Sequence, residues 1–305
     1  MAHHQFALAS GRNIGVSVLG DPLSSRLVVI CLPSAAAGAF DPNPEVTGTC
    51  PARIIQIDRP GYGSSDPLPD DENPTVEAFA DDIAEYLRSV TSQADALTQL
   101  EFGRAAVIGW SFGGATALAL AARYPELIDR VVLVASPRPR RIRSGERFSA
   151  IAELRKHGIE RDFRSMKASL DDDGPPSLIS LGVDDSDPAL EPLGVRGRLE
   201  RMLDAAWVQE SAGLATDRLA VRSRDWLDRG DEVTQKTLLV YGARDVLASA
   251  KDAAWFERHI ASAHLITVPG AGHLVVIDAW ADIVDWVCRG DEATDQGVKD
   301  PQLRR

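Results

Sequence analysis

Short strand-like runs rich in apolar residues alternate along the chain with longer amphipathic stretches. The runs are 27–32, 53–57, 105–108, 131–135, 237–241 and 264–268. The continuous apolar run 27–32 has the pattern of a strand buried on both faces of a parallel sheet. Between them, the spacing of Val76, Phe79, Ile83, Tyr86, Leu87 and Val90 predicts a helix over 75–90, with Thr75 as N-cap behind Pro74. Asp81, Asp82 and Glu85 fall on its opposite side and are expected in solvent. A small-residue helix is predicted from Ala115 to Tyr124, another over 251–260, and one more after the glycine loop 269–273, up to Cys288. Residues 5–9 and 12–19 read as a hairpin around Ser10-Gly11, with His3 and His4 before it as a frayed end. Strand alternating with helix implies an α/β fold with a mostly parallel, doubly wound sheet.

The strand pattern stops at Ser136-Pro137 and resumes near Thr237. The interval is rich in Arg, Asp, Pro and Gly and reads as helices over 146–157, 161–170, 196–213 and 214–228. The expected organisation is a core of residues 1–137 and 231–289, a helical insert over 138–230, and a polar tail over 290–305.

Composition narrows the function classes. Thirty-three basic and 45 acidic side chains leave a net charge of −12, which argues against nucleic acid or an anionic membrane as partner. Cys31, Cys50 and Cys288 are too few and too scattered for a disulfide framework or a zinc site, and Cys31 is expected as a buried thiol. No signal-peptide pattern opens the chain and no run approaches the ~18 apolar residues of a membrane span. The expectation is a cytoplasmic protein acting on a small molecule, with neither metal nor organic cofactor implied. Its oligomeric state is not legible.

The candidate chemistry centres on Val107-Ile108-Gly109-Trp110-Ser111-Phe112-Gly113-Gly114. Gly109 to Gly113 fits G-x-S-x-G between a predicted strand and a predicted helix, the context in which that pattern is a nucleophile elbow. A serine at such a turn must project above the sheet, and only minimal side chains fit two residues before and after it, where strand and helix crowd. The Phe112 N–H, at the mouth of the helix, is then a candidate oxyanion donor. This stretch resembles the α/β-hydrolase family, and the resemblance runs from the first strands to about Cys288. Within it, the 138–230 insert corresponds to the family's cap.

The resemblance implies a triad in the order Ser, Asp or Glu, His. Ser111, Asp245 in Gly242-x-x-Asp245, and His273 in Gly270-x-Gly272-His273 follow that order, each just after a predicted strand. The Asp58-Arg59-Pro60-Gly61-Tyr62-Gly63-Ser64-Ser65 stretch resembles the family's loop after the fourth strand, with Asp58 and Arg59 read as structural. One departure stands out. Leu32-Pro33 occupies the place where the family usually has His-Gly, the source of the second oxyanion N–H. Pro33 has none to give, so Ser34 is the candidate, with Ala35 next.

The implied reaction is hydrolysis of an ester-like or other carbonyl substrate through an acyl-enzyme on Ser111. C–C bond hydrolases and perhydrolases share the same triad, and a low-turnover binding protein on this fold is the alternative outside catalysis. Specificity would lie in the cap. Trp110, Phe148, Met166, Met202 and Trp207 are candidate substrate contacts, and the plain alternative for each cap member is packing inside the cap itself.

Overall fold

The structure, a computed structural model, describes residues 2–69, 72–97, 102–139, 159–221 and 230–288. One eight-stranded sheet organises it. Its strands are β1 (Ala2–Ala7), β2 (Asn13–Gly20), β3 (Leu27–Cys31), β4 (Arg53–Ile57), β5 (Ala105–Trp110), β6 (Ile128–Val134), β7 (Lys236–Gly242) and β8 (Ala263–Val268). The order across the sheet is β1-β2-β4-β3-β5-β6-β7-β8. β1 pairs antiparallel with β2 and β2 with β4; every other pairing is parallel. The apolar runs of β3 and β5 are buried along their whole length, as their lack of alternation predicts.

The helices are α1 (Pro44–Thr47), α2 (Val76–Leu97), α3 (Gly113–Arg123), α4 (Ile159–Asp173), α5 (Val195–Ala206), α6 (Ala212–Ala220), α7 (Ala250–His259), α8 (Val275–Asp278) and α9 (Trp280–Cys288). α3 lies against β3, β5 and β6 and against α2. α3 follows β5, and its buried Ala and Gly residues permit that close approach. The parallel strands therefore deliver the loops after β3, β4, β5, β7 and β8 to one edge, the carboxyl edge where open α/β sheets bind ligands.

Four expectations need correction. His3 and His4 are not frayed: they pair with Ser17 and Val16 in β1, and the His3 ring nitrogens lie 3.0 Å from Ser17 Oγ and 2.9 Å from Ser64 Oγ. The acidic face of α2 is not simply solvated. Arg12 donates to both oxygens of Asp82 at 2.7 and 2.8 Å, Arg123 and Tyr124 bind Asp81, and Glu85 accepts the Ala9 N–H. The helix expected over 196–213 breaks after Ala206, because Trp207 to Ser211 form turns and Glu210 takes a left-handed φ of 54°. The last helix is likewise split, at Ala279. Period-based reading sees the apolar spacing but not these interruptions, which answer to tertiary hydrogen bonds such as Gln209 Nε2 to the Gly63 and Ser65 carbonyls.

The described part of the insert, 159–221, contains helices and turns and no strand. It sits on the loops after β3 and β4. Ala37 N–H donates to the Met202 carbonyl at 3.3 Å, and Arg198 donates to the carbonyls of Asp41 and Pro42. The cysteines are scattered in sequence, yet Cys50 Sγ and Cys288 Sγ lie 3.8 Å apart as free thiols where α1 meets α9. Cys31 is buried as expected, and burial pushes its thiol up to about 12.

Candidate active site

The turn at Ser111 is built from its neighbours. Ser111 has φ 53°, a left-handed conformation that is strained for a residue with a Cβ. Its N–H is held by the Val134 carbonyl at 2.8 Å, which ties the turn to β6. A Cβ on Gly113 would stand 2.0 Å from the Cys31 carbonyl oxygen, and one on Gly109 would stand 2.5 Å from Gly114 Cα. The need for small residues on either side of the serine, inferred from the motif, is thus a physical fact of the fold. Phe112 opens α3 without a side-chain cap and no acidic residue lies in the first turn. Among the described residues the Phe112 N–H has no acceptor, so the positive end of α3 is unengaged beside Ser111.

His273 and Asp245 complete a continuous chain. His273 Nε2 lies 2.9 Å from Ser111 Oγ and Nδ1 lies 2.8 Å from Asp245 Oδ2. Both are buried, whereas Ser111 is half-buried and faces the carboxyl edge. The other oxygen of Asp245 accepts the Leu247 and Ala248 N–H groups at 2.8 and 2.9 Å, which sets the carboxylate plane. The two loops are locked together. Arg244 N–H donates to the Ala271 carbonyl at 2.9 Å, and a Cβ on Gly242 would fall 2.4 Å from the carbonyl oxygens of Ala271 and Gly272. Gly242 is therefore demanded by the close passage of the His273 loop. A cavity of about 180 Å³ opens beside the imidazole, lined by Asp187, Pro188, Arg244, Gly270 and Gly272 among others. Of the remaining described histidines, His259 stacks on Trp255 and His264 lies exposed on edge strand β8.

The loop after β3 differs in detail from expectation. Ala35, the second choice as oxyanion donor, spends its N–H on Tyr62 Oη at 3.0 Å and is fully buried. The Ser34 N–H has no acceptor among the described residues, and Ser34 is half-buried. The loop is pinned from below. Arg59 donates to the carbonyls of Leu32 and Pro33 at 2.7 and 2.8 Å and makes a two-point ion pair with Asp217 of α6 at 2.8 and 2.9 Å. Tyr62 Oη in turn donates to Asp217 Oδ2 at 2.8 Å. Asp58, read as structural, accepts the Gly38 and Ser64 N–H groups; burial raises its carboxyl above the usual range, partly offset by those bonds. Asp217 carries no sequence signal as a site residue. Its partner Arg59 is 158 positions away, and only folding brings them together.

The candidate substrate contacts divide. Trp110 is 1% exposed: its ring stacks on Phe40 and its indole N–H donates to the His273 carbonyl at 3.1 Å, so it supports the site from within the core. Met202 is 2% exposed and packs in the core, as the alternative for cap residues had it. Met166 on α4 and Trp207 at the end of α5 are half-buried. Phe148 lies outside the described residues. No group of three or more His, Cys, Asp or Glu among the described residues is arranged to hold a metal ion, and no described helix is long and apolar enough to cross a membrane.

Comparison with known proteins agrees with this architecture. The family model for the α/β hydrolase fold matches residues 47–279. A pimeloyl-[acyl-carrier protein] methyl ester esterase of Nitrosomonas europaea is 26% identical over 235 residues, 72% of this chain and 78% of the relative. The AB hydrolase superfamily protein YisY of Bacillus subtilis is 27% identical over 224 residues, 72% of this chain and 74% of that one. Among solved structures, an enol-lactonase from Burkholderia xenovorans superposes with TM-score 0.64 at 18% identity, covering 93% of this chain and 97% of the other, which speaks for the fold alone. The family match, the sheet order and the strand–turn–helix at Ser111 agree, and the chain belongs to the α/β hydrolase fold family as a hydrolase-type enzyme.

Proposed function

We propose that the protein hydrolyses carboxylic esters through an acyl-enzyme on Ser111, with His273 as general base and acid and Asp245 as its orienting carboxylate. The observation that carries this reading is the unbroken line Ser111 Oγ–His273 Nε2, His273 Nδ1–Asp245 Oδ2 at 2.9 and 2.8 Å. A serine hydroxyl needs an adjacent base to attack a carbonyl, and the base needs a third group to hold its tautomer. In the first half-reaction His273 Nε2 takes the Ser111 proton as Oγ attacks the ester carbon. The resulting oxyanion rests on the Phe112 and Ser34 N–H groups, and His273 returns the proton to the departing alcohol. In the second half-reaction His273 activates a water molecule, which releases the acid. The Asp245 carboxylate stabilises the imidazolium in both.

The esterase names of the curated relatives support the ester class, and methyl esters of acyl chains are the finer substrate to try first. The test is a p-nitrophenyl ester series of rising acyl length, with wild type beside Ser111→Ala. Serine-dependent turnover, with at least about a 10⁴-fold loss in the variant, is expected. Equal turnover by a folded Ser111→Ala protein would remove the acyl-enzyme. Labelling by a fluorophosphonate at Ser111 gives an independent readout.

A further inference from the structure

The loop after β3 lacks the family's usual His-Gly pair, yet its conformation is held on either side of one N–H group. A trans peptide directs its C=O and its N–H in opposite directions within one plane. The Pro33 carbonyl and the Ser34 N–H belong to the same peptide. Arg59 Nη2 grips that carbonyl at 2.8 Å and Nη1 grips the preceding one, Leu32, at 2.7 Å. The following N–H, of Ala35, is fixed by Tyr62 Oη at 3.0 Å, with Ala35 itself at φ 61°. The one N–H between these anchors, that of Ser34, is left without an acceptor among the described residues.

The grip depends on the insert. Arg59 is 6% exposed and Asp217 1%, so each charge relies on the other and on the bonds around it. Asp217 takes two N–H donors of the guanidinium and the Tyr62 hydroxyl, which fixes both groups that touch the loop. The guanidinium also lies 5.2 Å from the Phe112 ring, beside the other oxyanion donor. Packing enforces the arrangement: a Cβ on Gly213, one turn before Asp217, would stand 2.4 Å from the Tyr62 ring.

We propose that Arg59, anchored by Asp217 of the insert, is the positioning residue for the second oxyanion donor. It turns the Pro33–Ser34 peptide so that the Ser34 N–H faces the oxyanion, and its positive charge on the carbonyl polarises the same peptide and strengthens that N–H as a donor. The insert is thereby a working part of the oxyanion hole. This inference rests on the ester-hydrolase reading of the same site.

The experiment compares Asp217→Asn and Tyr62→Phe with wild type, measuring kcat and KM on one p-nitrophenyl ester, the Ki of a trifluoromethyl ketone, and amide exchange in the 32–37 segment. The ketone forms a tetrahedral adduct on serine and so reports the oxyanion hole, while KM reports ground-state binding. For Asp217→Asn the expected result is a fall in kcat and in ketone affinity by the same factor, about 10- to 100-fold, with KM within about twofold and faster exchange over 32–37. Tyr62→Phe, which keeps the ring and the ion pair but loses the bonds to the Ala35 N–H and Asp217, should show the same pattern at severalfold. Arg59→Lys, measured in the same way, keeps the charge but cannot span both carbonyls and Asp217; it should match Asp217→Asn, and it carries the test if Asp217→Asn does not fold. Folded variants with kcat and ketone affinity within about twofold of an active wild type would overturn the inference and leave the ester-hydrolase reading intact. A folded wild type that neither turns over esters nor takes the fluorophosphonate label would overturn both.

Discussion

Asp245 divides its two oxygens between two tasks: Oδ2 lies 2.8 Å from His273 Nδ1, and Oδ1 accepts the N–H groups of Leu247 and Ala248. The division predicts what Asp245→Asn does. The two backbone N–H groups hold the asparagine oxygen, so its NH₂ turns to His273 Nδ1. Nδ1 then has to accept, Nε2 carries the proton, and the imidazole cannot take one from Ser111. A loss of roughly 10⁴-fold in kcat with little change in thermal stability is expected. Steady-state kinetics beside a thermal melt decide it, and a variant within tenfold of wild type would refute the tautomer argument.

Ser34 offers two donors, a backbone N–H and a hydroxyl, and they can be separated. Ser34→Ala retains the N–H and should keep kcat within a fewfold of wild type. Ser34→Pro removes the N–H and should lower kcat by about 10²-fold or more, the usual effect of deleting an oxyanion donor. If Ser34→Ala suffers the larger loss, the hydroxyl is the donor and the peptide is not.

Gly213→Ala tests the seam between α6 and the loop after β4. The added Cβ meets the Tyr62 ring at 2.4 Å, and both residues are buried, so neither has free space to retreat into. Overpacking of this kind costs about 1–3 kcal/mol. A lowered midpoint in urea denaturation is expected, and an unchanged midpoint would show that the seam can slide.

Asp58 predicts a pH signature in stability. Its carboxyl is raised in the folded state, chiefly by burial, while an unfolded chain titrates it near the usual ~3.9. Between those two values the folded state holds more protons than the unfolded one, so stability falls as pH rises from about 4 through the raised value. Asp58→Asn cannot ionise and should lack that component. The variant loses a strong acceptor for the Gly38 and Ser64 N–H groups and should be less stable overall, but its deficit should shrink as pH rises through that window. Urea melts of both proteins across pH 4 to 7 measure it; a deficit that grows with pH would show that the carboxylate is favoured, not penalised, by its site.

Much of this protein was legible before folding. The central parallel strands β3 and β5 declare themselves by unbroken apolar runs, because a strand covered on both faces has few polar positions to show. The elbow at Ser111 declares itself by Gly109 and Gly113, because the crossing of β5 and α3 leaves no room for a Cβ. Asp245 and His273 follow from their places after β7 and β8, since parallel strands deliver their ends to one edge. The remainder depends on contacts that no local pattern encodes. Trp110, expected as a substrate contact from its place beside Ser111, is a core residue that holds the His273 carbonyl, because it is still the last buried position of β5 and its side chain packs under the site against Phe40. His3 and His4 looked frayed, yet the partner strand β2 orders them. The pairing of Arg59 with Asp217 across 158 positions, and through it the hold on the Pro33–Ser34 peptide, arises only when the insert closes onto the sheet. Periodicity and spacing report what a residue does to its own segment. Which distant charge it meets is settled by packing, where burial makes an unpaired ion too costly to leave alone.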